Sequence, residues 1–592
     1  MHTFDIKEDF LLDGKPMKII SGAIHYFRMT PSQWEDSLYN LKALGANTVE
    51  TYIPWNIHEP IEGKFDFSGR KDVVAFVNLA QKMGLYVILR PSVYICAEWE
   101  FGGLPAWLLK NGMIRLRSTD PYFMEKTENY YHELLPKLRP LQVTQGGPVI
   151  MMQIENEYGS YGMEKDYLLA TKKMVESYGI EVPLFTSDGS WKEVLDSGSL
   201  IDEDVFVAGN FGSKSIENST VLKNFMEEHH KNWPIMSMEY WDGWFNRWGD
   251  DIIKRDPQDL ADEVEDMLKI GSINLYMFHG GTNFGFYNGC SARGRTDLPQ
   301  VTSYDYDALL NESGQPTEKY YLVQQAIKNS CPDVWQAEPR LKTLINLGTF
   351  PIQKSVSFFH TKDDMMTPVF SSYPLTMEQV GTGYGYLLYD FDLKNYHHEN
   401  KFKVVEASDR LHLFADGEHL ATQYHDTNGE EIMVQGNQER NTIEMSVLVE
   451  NLGRVNYGYK LNNPTQMKGI RGGVMYDIHF HQGFKHYPLS LSKEELERIN
   501  FDKESDANHP SFYQASFDLD DIGDTYIDCS NYGKGVVIVN GHNLGRYWNR
   551  GPYLSLYCPK DFLNEGKNDI IIFETEGKDI KEITFSDKPI YL

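Results

Sequence analysis

Three polar residues close an otherwise apolar run. Glu155, Asn156 and Glu157 follow Val149, Ile150, Met151, Met152 and Ile154, behind a Gly-Gly-Pro turn. A second stretch repeats the plan: Pro234-Ile-Met-Ser-Met-Glu239-Tyr240 leads into Trp241, Trp244, Phe245 and Trp248. A carboxylate at the tip of a buried strand costs desolvation energy unless it has a partner or a task. A single such glutamate is more often a satisfied ion-pair member than a catalyst. Two of them set among aromatics suit cleavage of a glycosidic bond. One carboxylic acid protonates the leaving oxygen, and a second carboxylate attacks the anomeric carbon or activates water. The two must differ in pKa, and their surroundings set the difference. Glu155 and Glu157 share strand parity. That predicts both pointing into one interior, with Glu155 a layer deeper in a supporting role and Glu157 at the mouth. Asn156 is placed to donate to a sugar hydroxyl.

The elements that must carry these residues alternate. Residues 18–24 read as a first strand. Thr30-Pro31-Ser32-Gln33 opens a helix with a capping box and a proline at its first position. Trp34, Leu38, Leu41 and Leu44 continue it at helical spacing, and Gly45 stops it. Further strands are predicted at 46–52, 85–90, 148–157, 183–187, 204–208, 234–240 and 272–278. Helices are predicted over about 72–83 and after the Asp256-Pro257 cap. Eight strands alternating with helices predict a (β/α)8 TIM barrel, in which reacting groups sit at the C-terminal strand ends. From about residue 340 short alternating strands take over, which predicts β-sandwiches or jelly rolls. The predicted division is 1–330 for the barrel, 331–380 for a connector that lends strands to a β domain, 381–480 for a first β-sandwich and 481–592 for a second. The two β domains echo each other: an apolar strand turns at Asp416-Gly417 in one and at Asn540-Gly541 in the other, each a hairpin signal.

Composition narrows the function. The chain has 592 residues, enough for several cores, and a formal net charge of -29. Such acidity argues against nucleic acid or an anionic membrane as a partner. Aromatic residues are 13% of the chain, and their flat faces suit the C–H faces of sugars. The five cysteines, Cys96, Cys290, Cys331, Cys529 and Cys558, show neither a CxxC spacing nor a disulfide framework. Cys96 has no neighbouring histidine and reads as a buried residue. His58 and His279 lack spaced partners for a metal. Gly280-Gly281 has no lysine and hydroxyl of a phosphate loop, and is expected to let the chain turn tightly beside a substrate. The N-terminus has no basic segment followed by an apolar core, and no apolar run approaches membrane-spanning length. The expected location is therefore cytoplasmic, with signal-less surface export also compatible. If the chain self-associates, a homodimer is the expected form.

Four runs carry a family resemblance: Tyr-Ile-Pro-Trp-Asn-Ile-His-Glu-Pro (52–60), Arg-Pro-Ser-Val-Tyr-Ile-Cys-Ala-Glu-Trp-Glu-Phe-Gly-Gly-Leu-Pro-Ala-Trp-Leu (90–108), Gly-Gly-Pro-Val-Ile-Met-Met-Gln-Ile-Glu-Asn-Glu-Tyr-Gly-Ser-Tyr (146–161) and Gly-Gly-Thr-Asn-Phe-Gly (280–285). The chain resembles β-galactosidases of glycoside hydrolase family 35 along nearly its whole length. The resemblance implies Glu157 as acid/base and Glu239 as nucleophile. It implies that Tyr52, the backbone at Cys96 and Ala97, Glu98, Asn156 and Tyr306 hold galactose. It further implies galactose-binding-like β domains, no metal or other cofactor, and retention of configuration, with the carboxyls about 5–5.5 Å apart. A galactose-binding-like fold does not itself imply sugar binding, and a buttressing role is expected for those domains. Trp241 and Trp244 are expected to wall the leaving-sugar subsite, and Tyr457 to reach the barrel mouth. The implied activity is exo-acting removal of terminal β-linked galactose. The alternatives are an exo-β-glucosaminidase with the same mechanism, and a non-catalytic carbohydrate-binding or adhesive protein on the same scaffold.

Overall fold

The computed structural model describes residues 2–436 and 439–592. Eight parallel strands close into a barrel: Ile20–Ile24, Thr48–Tyr52, Tyr86–Arg90, Val149–Gln153, Leu184–Gly189, Phe206–Asn210, Met236–Trp241 and Ser272–His279. Six of the eight are buried along their whole length, as strands lined by side chains within and by helices outside must be. The helix Pro31–Leu44 starts on the Thr30/Gln33 capping box and ends on Gly45 in the left-handed region. Asp72 caps Val73–Lys82 by accepting from the Ala75 N–H, and Asp256 caps Pro257–Ile270 by accepting from Asp259. No helix among the described residues is long and apolar enough to cross a membrane.

Strand ends differ from prediction by one or two residues, except in the fourth strand, where the difference bears on the site. The fourth ends at Gln153, and both Glu155 and Glu157 take left-handed backbone conformations, φ 54° and 47°. Strand parity therefore does not apply to them. The side-chain partners of Glu155 come from outside the eight barrel strands. Arg117 grips it with Nε at 2.9 Å and Nη2 at 2.7 Å, and Tyr167 of the helix Lys165–Ser177 donates to it at 2.9 Å. It anchors the turn that presents Glu157.

Two all-β modules follow. The first has a six-stranded sheet, ordered Val369–Ser371, Phe484–Leu489, Tyr386–Lys394, Thr442–Glu450, Arg410–Ala415, Glu418–Tyr424. It faces a four-stranded sheet built on Glu399–Ser408 and Gly469–Tyr476. The second has a five-stranded sheet running Lys354–Ser357, Ser511–Leu519, Gly566–Glu574, Lys534–Val539, His542–Trp548, and a four-stranded one that includes Thr349–Pro351. Phe484–Leu489 pairs with Tyr386–Lys394, so the first module extends to 489 and not to 480. The short strands of 349–371 are divided between the two modules. The hairpins at Asp416-Gly417 and Asn540-Gly541 both turn with two positive φ values, 47° and 84° in one and 49° and 82° in the other. In each module the first strand of the hairpin also pairs with the long strand that follows it, so the echo extends to topology.

The first module is tied to the barrel by a buried charge cluster. Arg454 donates to Glu100 of the barrel at 2.7 Å and to Glu378, and all three side chains are fully buried. Removing one member of such a cluster leaves buried charge unpaired, at a cost of about 3–5 kcal/mol. Arg454→Ala should therefore unfold at markedly lower denaturant, read as a drop in the urea midpoint. A midpoint unchanged from wild type would show that the cluster does not hold the module.

Candidate functional site

The barrel mouth encloses a cavity of about 290 Å³ lined by Cys96, Ala97, Glu98, Glu157, Glu239, Trp241, Trp244, Tyr276 and Tyr306, together with Ser160, Trp191, Asn456 and Tyr457. Of the ten residues singled out from the sequence, eight line this cavity. The other two, Tyr52 and Asn156, are buried beside it and bonded to its base.

Glu239 belongs to the seventh strand and is surrounded by donors. Arg90 reaches its Oε1 at 3.0 Å, the Tyr52 hydroxyl lies against the same oxygen, and the Trp241 indole donates to Oε2 at 3.2 Å. A fully buried guanidinium and two neutral donors therefore hold this carboxyl in place. Arg90 ends the third strand and stacks over the Tyr52 ring at 3.9 Å. It also donates to Asn156 Oδ1 at 2.9 Å, so one cation fixes the nucleophile candidate and the amide together. The Asn156 carbonyl oxygen further accepts from Gln153, and its amide donates to the Ile95 carbonyl at 3.2 Å. Beneath, Glu50 lies 3.7 Å from Arg90, and burial pushes its carboxyl up to about 7. Arg90 is thus closer to Glu239 than to its deeper competitor.

Glu157 has the opposite surroundings. Its hydrogen-bond donor is the Asn210 amide at 3.2 Å, from the end of the sixth strand. Burial, and then the charge of Glu239, hold its carboxyl well above the usual carboxylate range. A carboxyl held above the usual range, beside a second one bonded to a guanidinium, suits the acid that glycosidic cleavage needs.

Cys96, Ala97 and Glu98 form a run of left-handed residues, φ 53°, 50° and 47°. Such backbone strain persists only where the surroundings impose it. Arg28 does so: buried and stacked 3.6 Å over the Tyr304 ring, it donates to the Ala97 and Glu98 carbonyls at 2.5 and 3.1 Å. Tyr304 donates to Glu98, whose carboxyl burial nevertheless pushes up to about 7. Burial raises the Cys96 thiol well above its ordinary value, and the Asn456 amide donates to its sulfur at 3.3 Å, so it is no activated nucleophile. Both ring nitrogens of His58 and of His279 are within hydrogen-bond distance of protein oxygens. A Cβ at Gly280 would fall 1.7 Å from the Tyr304 carbonyl oxygen, and Gly281 has φ 82°, which accounts for the pair beside the site. Gly243 packs equally close to the Tyr306 carbonyl oxygen and sets Tyr306 against Trp244.

Several site residues carried little signal in the sequence. Arg90 could have been noticed as a cation ending an apolar strand. Arg28, Asn210, Tyr304 and Asn456 are recognisable only through partners far along the chain. Asn456 and Tyr457 come from the first β module, so the cavity is completed by a second unit.

A family model for glycosyl hydrolases family 35 matches residues 9–330. Models for a β-galactosidase first all-beta domain and a β-galactosidase galactose-binding domain match 374–490 and 510–568. The chain is 36% identical to beta-galactosidase 1 of Dictyostelium discoideum over 97% of its own length and 91% of the relative's. It is 38% identical to a beta-galactosidase of Xanthomonas manihotis, over 93% and 90%. It is also 38% identical to human beta-galactosidase-1-like protein 3, over 98% and 88%. With the family model spanning more than half of the chain and the relatives aligned almost end to end, this protein belongs to glycoside hydrolase family 35.

Proposed function

We propose that this glycoside hydrolase is an exo-acting, retaining β-galactosidase that removes terminal β-linked galactose from oligosaccharides or glycoconjugates. The observation that carries the reading is the pair Glu157 and Glu239, lining one cavity with opposed electrostatic surroundings. The names of the relatives supply the sugar. A cavity near the lower end of the roughly 300–1,000 Å³ range of small-molecule sites suits a chain end rather than a polymer groove.

In this mechanism the Glu239 carboxylate attacks the anomeric carbon while protonated Glu157 donates to the leaving oxygen. The galactosyl ester on Glu239 carries no charge, so the repulsion that raised Glu157 disappears. Glu157 then holds its site as a carboxylate, takes a proton from water, and the hydroxide displaces Glu239 to release galactose. Tyr52, Glu98, Asn156, Tyr306 and the backbone at Cys96 and Ala97 are assigned to the galactose hydroxyls. Trp241 and Trp244, edge to face at 5.5 Å, are assigned to the leaving sugar. Trp244→Ala should lower kcat/KM about tenfold on a galactosyl disaccharide. Its loss on 4-nitrophenyl β-galactoside should be much smaller, and equal losses on both would reject the assignment.

The activity itself is tested by comparing 4-nitrophenyl β-galactoside with the corresponding β-glucosaminide. Preferential hydrolysis of the galactoside is expected. Preference for the glucosaminide would transfer the same chemistry to the other sugar, and no turnover of either would favour a carbohydrate-binding protein.

A further inference from the structure

A second recess adjoins the catalytic cavity. It has a volume of about 640 Å³ and is lined by Arg115, Tyr158, Tyr161, Met163, Tyr459 and Asn462, among others. Two segments contribute neighbouring residues to both spaces. The turn after Glu157 gives Ser160 to the catalytic cavity and Tyr161 and Met163 to the recess. The loop from the first β module gives Tyr457 to the cavity and Tyr459 and Asn462 to the recess. Ser160 and Tyr457 thus stand on the catalytic side of the boundary between the two spaces.

The recess has a rigid floor and an open aromatic edge. The Tyr161 hydroxyl donates to the Leu116 carbonyl at 2.7 Å and accepts from Asn462 at 2.5 Å. Arg117 covers its ring at 4.2 Å. Asn462 also accepts from the Leu116 N–H, so the β-module loop is tied to the barrel at this point. Tyr459 is 72% exposed and Met163 75%, apolar surface that folding leaves uncovered beside the mouth. Arg115 is exposed and its guanidinium donates no hydrogen bond to the described residues. An exposed tyrosine face with unused donors nearby matches the alternating C–H faces and hydroxyls of a saccharide.

We infer that this recess is an extended acceptor subsite, which takes the sugars beyond the one directly bonded to the departing galactose. The inference rests on the β-galactosidase reading. It makes the loop 456–462 a reader of acceptor length: Tyr457 faces the first acceptor sugar and Tyr459 stacks on a later one. The chemical class of the full substrate is then a galactose-terminated oligosaccharide of three or more sugars.

The test compares wild type, Tyr459→Ala and Tyr459→Phe on 4-nitrophenyl β-galactoside and on a galactosyl disaccharide and tetrasaccharide sharing the same terminal linkage. In wild type, kcat/KM should rise about tenfold from disaccharide to tetrasaccharide, the size of one good aromatic contact. Tyr459→Ala should erase that rise and leave the aryl galactoside within about twofold of wild type, and Tyr459→Phe should restore it. A wild type that treats disaccharide and tetrasaccharide alike would overturn the inference. So would a Tyr459→Ala loss equal on all three substrates. Absence of turnover on every galactoside would overturn the galactosidase reading and the inference with it.

Discussion

Glu239→Gln is expected to lower kcat by about 10⁴–10⁶-fold on every galactoside, with the fold and sugar binding intact. Gln keeps the shape and can still meet Trp241 and Tyr52, but it is not a nucleophile. It also leaves Arg90 without its nearer carboxylate, at 3.0 Å in wild type. The compensating group is Glu50, 3.7 Å away, which the substitution frees to ionise against Arg90. The loss should therefore be catalytic and not structural. Circular dichroism and galactose binding should match wild type while turnover disappears. Substantial residual turnover would show that another group attacks, and loss of binding in step with turnover would place Glu239 in recognition instead.

Glu157→Gln is expected to separate the two steps. A poor leaving group needs the proton, so kcat/KM on a disaccharide should fall by about 10²–10⁴-fold. An activated aryl leaving group departs without it, so galactosylation should survive and the galactosyl-enzyme should accumulate as a burst. The pH profile carries the same signature. Wild-type activity requires protonated Glu157, whose pKa is raised by burial and by Glu239. Activity is therefore present below that raised value and lost as pH rises through it. In Glu157→Gln this alkaline limb should vanish. A limb that persists unchanged would assign the titration to a different residue, with Glu98, pushed up to about 7, the next candidate.

The barrel was readable in the sequence because its signals are local. Apolar strands, capped helices and glycine stops such as Gly45 follow rules that act over a few residues. The placement of Glu239 on a strand was readable for the same reason, although the pairing with both neighbouring strands shifts register beside it. Glu155 was misplaced because a period-2 pattern presumes extended backbone, and the chain leaves the strand at Gln153 for left-handed turns. The contact of Glu155 with Arg117 is 38 residues distant in sequence, and no local rule reports it. A module boundary at 480 falls short because sheet order does not follow chain order: Phe484–Leu489 returns to pair with Tyr386–Lys394, about a hundred residues upstream. Arg28 and Tyr304 illustrate the same limit. Each is an ordinary residue until the fold places a buried cation over an aromatic ring and under the carbonyls of Ala97 and Glu98.

The most direct test is to trap the reaction half-way. A 2-deoxy-2-fluoro-β-galactosyl fluoride slows both steps, and peptide mass spectrometry can then locate the sugar. The expected result is an ester on Glu239, within the strand Met236–Trp241, formed in step with loss of activity and released as galactose-type product on incubation with an acceptor. An ester on another carboxylate, or continued turnover with no ester while the anomer first released is α, would contradict the two-glutamate account.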